Sequence, residues 1–199
     1  MTATHPSNTA PEITQRPRSR RCVRILLAML SACGLAAMAW ASFVRPKAHV
    51  VYNPTDSMPV GWYRIEPIRS LTDELQPPLS VGSIVLAHLP ADVAALAAQR
   101  GYLPSHIPLL KRVGAMAPQR VCIVDGEVSI DGVPVAAVLR ADRLGRLLPS
   151  WPQCRVLVED ELFLLSTTNP ASFDSRYFGP IDVSDVIGIA QPIHLEKRP

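Results

Sequence analysis

The longest apolar run of the chain occupies residues 25–44, ILLAMLSACGLAAMAWASFV, and carries no charge. About twenty apolar residues are enough to cross the hydrocarbon core of a bilayer as a helix. Basic residues crowd the segment before this run and few follow it, so the positive-inside rule places the amino terminus in the cytoplasm. We predict a basic, largely disordered cytoplasmic tail over residues 1–24, a transmembrane signal anchor over 25–44 and a domain outside the cytoplasm over 45–199.

A cleavable signal peptide is the alternative interpretation of the apolar segment. Ala39-Trp40-Ala41 provides the small-x-small pattern that a signal peptidase cuts. The run is, however, longer than the core of a signal peptide, which usually has about 7 to 15 residues. We therefore favour a retained anchor.

Beyond residue 50, apolar residues come in short runs that are broken by proline, glycine and Asp-Gly pairs. β-Branched and aromatic residues dominate these runs, which is typical of strands. One alanine-rich stretch, residues 91–100, predicts a short helix. Strands are predicted at residues 50–52, 61–65, 82–87 and 162–165, with a closing strand at 186–190.

Residues 120–135 contain Asp125-Gly126 and Asp131-Gly132, each flanked by β-branched residues. Asp-Gly is a strong hairpin signal because type I′ turns need positive φ at their central residues, so we predict an antiparallel meander here. The resulting fold class is mostly β, an antiparallel-sheet domain with one N-terminal transmembrane helix. Strands and helices do not alternate as they do in a doubly wound nucleotide-binding fold.

Composition agrees with a strand-rich body and narrows the partners. The chain has 20 prolines and 10 glycines, and proline disfavours long helices. Its formal net charge of +3 comes with a strongly basic amino-terminal tail, which the anchor explains, so we do not predict nucleic-acid binding. The sequence has no HExxH motif, paired CxxC or histidine-rich tract, and we predict neither a metal nor another cofactor.

Two cysteines, Cys122 and Cys154, fall in the body. A domain outside the cytoplasm lies in an oxidising compartment, where disulfides persist. A bridge between these cysteines is therefore a hypothesis. It requires a Cα separation below about 7 Å, which the sequence does not supply.

Three stretches contain residues that could support catalysis: NPTDSMPVGWY at 53–63, LLKRVG at 109–114 and SFDSRYFGPI at 172–181. Each alone has an ordinary explanation, as a turn, a solvated strand end and a polar corner. Together, in this order behind an anchor, they resemble the boxes of bacterial type I signal peptidases. The SMPVG, GYLP and DSRYFGP segments that begin at Ser57, Gly101 and Asp174 are most similar to the TraF branch, the conjugative-transfer peptidases.

This resemblance implies a signal-peptidase-like fold and a serine/lysine dyad, with Ser57 as nucleophile and Lys111 as base. It also implies that Thr55 joins the Ser57 amide in an oxyanion hole and that Ser172 orients the lysine amine. Asp174 and Arg176 match an ion pair that shapes the site. A Ser-His-Asp triad is the alternative, but no histidine of the body lies in a recognisable triad motif.

A serine/lysine dyad makes one physical demand that the sequence can be tested against. A free lysine, with a pKa of about 10.4, is charged at neutral pH and cannot accept a proton. Burial can lower that pKa by about 3 to 5 units. The apolar residues 108–110 that precede Lys111 are compatible with such a buried site.

The resemblance implies a single-pass serine endopeptidase of the bacterial inner membrane, with a periplasmic catalytic domain. Its partners would be the lipid bilayer and a pilin-like or other exported precursor of a conjugative transfer or type IV secretion system. Cyclisation of the product stays open. The alternatives are a general type I signal peptidase and a non-catalytic structural component of a secretion complex. A self-cleaving repressor of the LexA type is opposed by the span and by the lack of a helix-turn-helix pattern.

Overall fold

Residues 20–43, 49–68 and 79–196 are described by the computed structural model of the chain. By its contacts the chain divides into two units, residues 1–46 and 47–199. Most of the predicted tail, up to residue 19, and the last predicted anchor residue, Val44, lie outside the described residues.

The described part of the first unit is a helix, α1, which spans Arg20–Phe43. It begins earlier than the apolar run because the arginines before that run are themselves good helix formers. Residues Cys22–Trp40 form a segment that is long and apolar enough to cross a membrane, and all of them are exposed. One N-terminal apolar helix of this length is consistent with a single-pass membrane anchor.

The second unit is mostly β, as the short apolar runs predict. A seven-stranded antiparallel sheet has the order β1-β2-β11-β3-β4-β9-β10, and a four-stranded antiparallel sheet has the order β7-β6-β5-β8. The strands are β1 His49–Asn53, β2 Gly61–Pro67, β3 Ile84–Ala87, β4 Leu109–Met116, β5 Arg120–Val124, β6 Glu127–Ile130, β7 Val133–Ala137, β8 Cys154–Val156, β9 Glu161–Leu165, β10 Ile181–Asp182 and β11 Val186–Leu195. The short helices are α2 Ala91–Gln99 and α3 Ser175–Phe178, with a 3₁₀ turn at Val183–Asp185.

The predicted meander is confirmed as β5, β6 and β7, which pair consecutively. Asp125 and Gly126 have φ of 52° and 80°, and Asp131 and Gly132 have φ of 50° and 82°. Both residues of each pair are thus left-handed, as a type I′ turn requires.

The strand predicted to close the sheet at residues 186–190 is longer than predicted and lies inside the sheet. Strand β11 pairs with β2 on one side and with β3 on the other. A sequence pattern indicates that a segment is extended, but the partners of a strand depend on long-range contacts.

Strand β4 contributes to three buried apolar clusters in the described part of the body. Leu109 and Val113 belong to one cluster, Leu110 to a second and Ala115 to a third. β4 also pairs with β3 and β9. Close packing of core side chains restricts their movement, so the strand that carries Lys111 is held along its whole length.

Cys122 and Cys154 are directly opposite each other on the neighbouring strands β5 and β8. They form a disulfide, with a Cα separation of 3.8 Å. The predicted condition of a short Cα separation is therefore met.

Candidate active site

Lys111 is a buried lysine, the third residue of β4, with an exposed fraction of 2%. Its Nζ donates a 2.6 Å hydrogen bond to Ser172 Oγ. Burial lowers the pKa of Lys111 to about 8; the Asp174 carboxylate raises it and the Arg176 guanidinium lowers it. Near neutral pH a much larger fraction of this amine is therefore unprotonated than in an ordinary lysine, so it can accept a proton.

Ser57 lies, as predicted, on the turn between β1 and β2. The buried Asn53 organises this turn from the end of β1. Its Nδ2 donates to the carbonyls of Thr55, Met58 and Pro59 at 2.9, 3.0 and 3.1 Å. Its Oδ1 accepts from Thr55 N at 3.2 Å and from Thr55 Oγ1 at 2.9 Å. One carboxamide thus bonds four backbone groups of the turn, which would otherwise need other partners.

Thr55 Oγ1 lies 3.0 Å from Ser57 Oγ, within hydrogen-bonding distance. The turn is also fixed from its far side, where the buried Ser166 Oγ donates to the carbonyl of Ser57 at 2.7 Å. At the end of the turn Gly61 has a φ of 146°, and a Cβ at this position would lie 2.2 Å from the carbonyl oxygen of His194. Only glycine fits there, so the exit from the turn is fixed by the close approach of β11.

Asp174 and Arg176 form a fully buried ion pair, with Arg176 Nε 2.7 Å from Asp174 Oδ1. Arg176 also donates to the carbonyls of Ala137, Pro170 and Ser172 at 2.9, 3.0 and 3.0 Å. Asp174 Oδ2 accepts from Ser166 N at 3.0 Å. The charges of this pair are therefore compensated by hydrogen bonds as well as by each other, which a buried ion pair requires.

The ion pair connects the surroundings of the two predicted dyad residues. Arg176 binds the backbone of Ser172, whose hydroxyl accepts from Lys111. Asp174 binds the backbone of Ser166, whose hydroxyl donates to the Ser57 carbonyl. A displacement of the ion pair would thus affect the positions of both residues.

A cavity of about 1030 Å³ opens beside these groups. Ser57, Lys111, Thr55 and Ser172 all line it, whereas Asp174 and Arg176 are not among its lining residues. Most of the remaining wall is apolar, from leucine, proline and alanine side chains. Within the described residues no hydrogen bond joins Ser57 Oγ to Lys111 Nζ. The cavity is large enough for several residues of an extended peptide chain to reach both groups.

Sequence reasoning missed two residues of the site, Asn53 and Ser166. A signal for Asn53 was present, because an asparagine at the start of a turn often bonds the backbone two residues further on. No such signal marks Ser166, whose contact with Ser57 joins residues 109 positions apart in sequence. In the described parts of the chain, no group of three or more metal-binding side chains is present.

The family model described as signal peptidase, peptidase S26, matches residues 22–195. A conjugal transfer protein TraF of Agrobacterium tumefaciens (strain 15955) is 37% identical over 71% of this chain and 80% of its own length. A probable conjugal transfer protein TraF of Sinorhizobium fredii (strain NBRC 101917 / NGR234) is 34% identical over 92% of this chain and 94% of its own length. A crystal structure of a signal peptidase I from Enterococcus faecalis V583 aligns with a TM-score of 0.35 at 20% identity, over 58% of this chain and 98% of that one.

Proposed function

We propose a specific peptidase function for this chain, which belongs to the signal peptidase family, peptidase S26. Membership of that family supports a serine-type peptidase activity, and the TraF relatives support a signal-peptidase-like role in conjugation. The proposal adds the residues, the substrate class and the location. Ser57 is the nucleophile, Lys111 is the general base, and the substrate is a pilin-like or other exported precursor.

The main support for this proposal is the buried Lys111. An amine with a pKa of about 8 that opens into the same cavity as a serine hydroxyl is unusual, because proteins seldom bury a lysine completely. A fold that excludes water from Lys111 keeps part of it neutral, and a neutral amine can take the proton of a hydroxyl.

In the proposed reaction, Ser57 Oγ attacks the scissile carbonyl as its proton passes to Lys111 Nζ. The resulting oxyanion is stabilised by the Ser57 amide and the Thr55 hydroxyl. Lys111 then protonates the leaving amine as the peptide bond breaks, which leaves an acyl ester on Ser57. Lys111 then takes a proton from a water molecule as that water attacks the ester, and the serine is regenerated. If the amino terminus of the same product attacks in place of water, it forms a new amide, releases Ser57 and cyclises the product.

Ser172 serves this reaction by holding Nζ of the lysine through a 2.6 Å hydrogen bond. A hydroxyl is a suitable partner because it can accept from the protonated amine and donate to the neutral one. Asp174 and Arg176 act through the backbone of Ser172 and Ser166, so they are positioning residues in this proposal.

Helix α1 supports a membrane location. We propose that it anchors the chain in the bacterial inner membrane with its amino terminus in the cytoplasm and the catalytic unit in the periplasm. An exported precursor passes through the same compartment, and a peptidase held at the membrane can meet it there.

A processing assay tests the function. The chain is co-expressed with candidate pilin precursors, whose masses are compared for wild type, Ser57→Ala, Lys111→Ala and the control Ser129→Ala. Ser129 lies on β6, away from the cavity lining. We expect cleavage with wild type and the control only. Unchanged processing by either dyad variant would contradict the mechanism, and a product lighter by one water than the linear chain would show cyclisation.

A second measurement tests the topology. Externally added protease should digest the catalytic unit in sealed spheroplasts, since that unit is proposed to face outward. Protection of the unit until the membrane is permeabilised would contradict the orientation. Processing of ordinary secreted precursors instead of pilin-like ones would favour the general signal peptidase.

A further inference from the structure

The nucleophile turn contains a chain of hydroxyl groups that ends on a residue outside the proposed dyad. Ser57 Oγ contacts Thr55 Oγ1, and Thr55 Oγ1 contacts Asn53 Oδ1, at 3.0 and 2.9 Å. Asn53 received no catalytic role from the sequence, yet it lines the same cavity as Ser57 and Lys111. The contacts of Asn53 determine which atoms the hydroxyl protons of Thr55 and Ser57 point to.

The orientation of the Asn53 carboxamide is fixed by its surroundings. One end of it faces the carbonyl oxygens of Thr55, Met58 and Pro59. Carbonyl oxygens only accept hydrogen bonds, so the NH₂ end must face them. The oxygen end therefore points to the amide and the hydroxyl of Thr55. The reversed orientation would place the amide oxygen of Asn53 against three carbonyl oxygens, none of which can donate a hydrogen bond.

This orientation determines which way each hydroxyl donates. An amide oxygen cannot donate, so the Thr55 hydroxyl gives its one proton to Asn53 Oδ1. The lone pairs of Thr55 Oγ1 then remain for Ser57, and the Ser57 hydroxyl is the donor of their 3.0 Å contact. In the free enzyme Asn53 thus holds Thr55 Oγ1 in place as the acceptor of the Ser57 proton. During the proposed acylation the Ser57 proton passes to Lys111, and the Thr55 hydroxyl turns from Asn53 Oδ1 to the oxyanion.

We propose that Asn53 is a positioning residue for acylation of Ser57, acting through the hydroxyl of Thr55. It holds Thr55 Oγ1 beside the nucleophile, from where the Thr55 hydroxyl can turn to the oxyanion as the Ser57 proton passes to Lys111. This inference rests on the proposed function of Ser57. Ser166, which supports the same turn through the Ser57 carbonyl, does not contact the hydroxyl chain.

A double-mutant cycle separates this role from general support of the turn. Full-length protein in detergent is mixed with p-nitrophenyl acetate, a simple acyl donor, and the initial release of p-nitrophenolate that depends on Ser57 is measured, with Ser57→Ala as the blank. We expect Asn53→Ala to slow this acylation by about tenfold. The same change in a Thr55→Val background should alter it by less than about twofold, because coupled residues do not act additively. In a Thr55→Ser background, which keeps the hydroxyl, the effect should return.

Equal slowing by Asn53→Ala in the Thr55→Val and wild-type backgrounds would overturn the proposal, as would no slowing at all. If wild type itself shows no Ser57-dependent release, the nucleophile assignment fails, and the proposal with it. If wild type does release p-nitrophenolate through Ser57 but Asn53→Ala does not slow this release, only the proposal for Asn53 fails.

A measurement without Asn53 variants covers the case in which Asn53→Ala does not fold. The side-chain amide resonances of Asn53 are recorded by NMR in wild type, Thr55→Val and the control Ser129→Ala. Loss of the Thr55 hydroxyl should shift the Asn53 resonances, and Ser129→Ala should not. Unshifted Asn53 resonances in Thr55→Val would show that the contact is absent and refute the proposal.

Discussion

Replacement of Lys111 by methionine should abolish activity and yet stabilise the protein near neutral pH. Methionine keeps a side chain of similar length but has no charge. Burial lowers the pKa of Lys111 from its ordinary value of 10.5 to about 8. At about 1.4 kcal/mol per pH unit, this difference corresponds to about 3 kcal/mol of unfavourable free energy for the buried ammonium.

The sign of the pH dependence follows from proton binding. Between about pH 8 and pH 10.5 the unfolded chain holds the lysine proton and the folded chain does not. Stability rises with pH wherever the unfolded state binds more protons. The wild-type free energy of unfolding should therefore increase, relative to the methionine variant, by about 3 kcal/mol across this window. The lost hydrogen bond to Ser172 subtracts about 1 kcal/mol at every pH, so the variant should be about 2 kcal/mol more stable at about pH 7.

Denaturant unfolding of the full chain in detergent, repeated at several pH values, measures this difference. Other titrating groups are common to both proteins and cancel in the comparison. Leu110→Met is a matched control on the same buried strand, and its effect should not depend on pH. A constant difference between wild type and Lys111→Met from about pH 7 to about pH 11 would refute the reasoning, because Lys111 would then titrate as an ordinary lysine.

Four further predictions concern Lys111, the buried ion pair and the disulfide. Processing should increase with pH through about 8, where Lys111 becomes neutral, and a pH–rate profile that falls over this range would exclude it as the base. Asp174→Asn leaves a buried guanidinium without its carboxylate and should lower the free energy of unfolding, measured by denaturation, by about 3 to 5 kcal/mol. Glu161→Gln, at the partly exposed Arg155–Glu161 ion pair, should lower it by less than about 1 kcal/mol. Because the Asp174 carboxylate raises the pKa of Lys111, the activity midpoint of Asp174→Asn should move to lower pH, and an upward movement would contradict the electrostatics. Reduction of the Cys122–Cys154 disulfide should destabilise the chain by about 3 kcal/mol without moving the activity midpoint, which a pH–rate profile under reducing conditions checks.

Much of the fold was predictable because its determinants are local. The apolar run of α1, the alanine-rich α2 and the Asp-Gly turns at Asp125 and Asp131 depend on residues that are neighbours in sequence. Helix propensity, apolar periodicity and the tolerance of positive φ are properties of short segments. The residues proposed for the dyad were likewise identified from the motifs around Ser57 and Lys111, whose resemblance to a known family does not require coordinates.

The tertiary structure decided what brings these residues together and what tunes them. β11 lies between β2 and β3, an order that no local pattern specifies. The contact of Lys111 with Ser172 joins residues 61 positions apart, and that of Ser166 with Ser57 joins residues 109 apart. The lowered pKa of Lys111 comes from desolvation by neighbouring strands. Such effects arise only when distant segments pack and exclude water, so the sequence identified a serine and a lysine, and the folded structure made the lysine a candidate base.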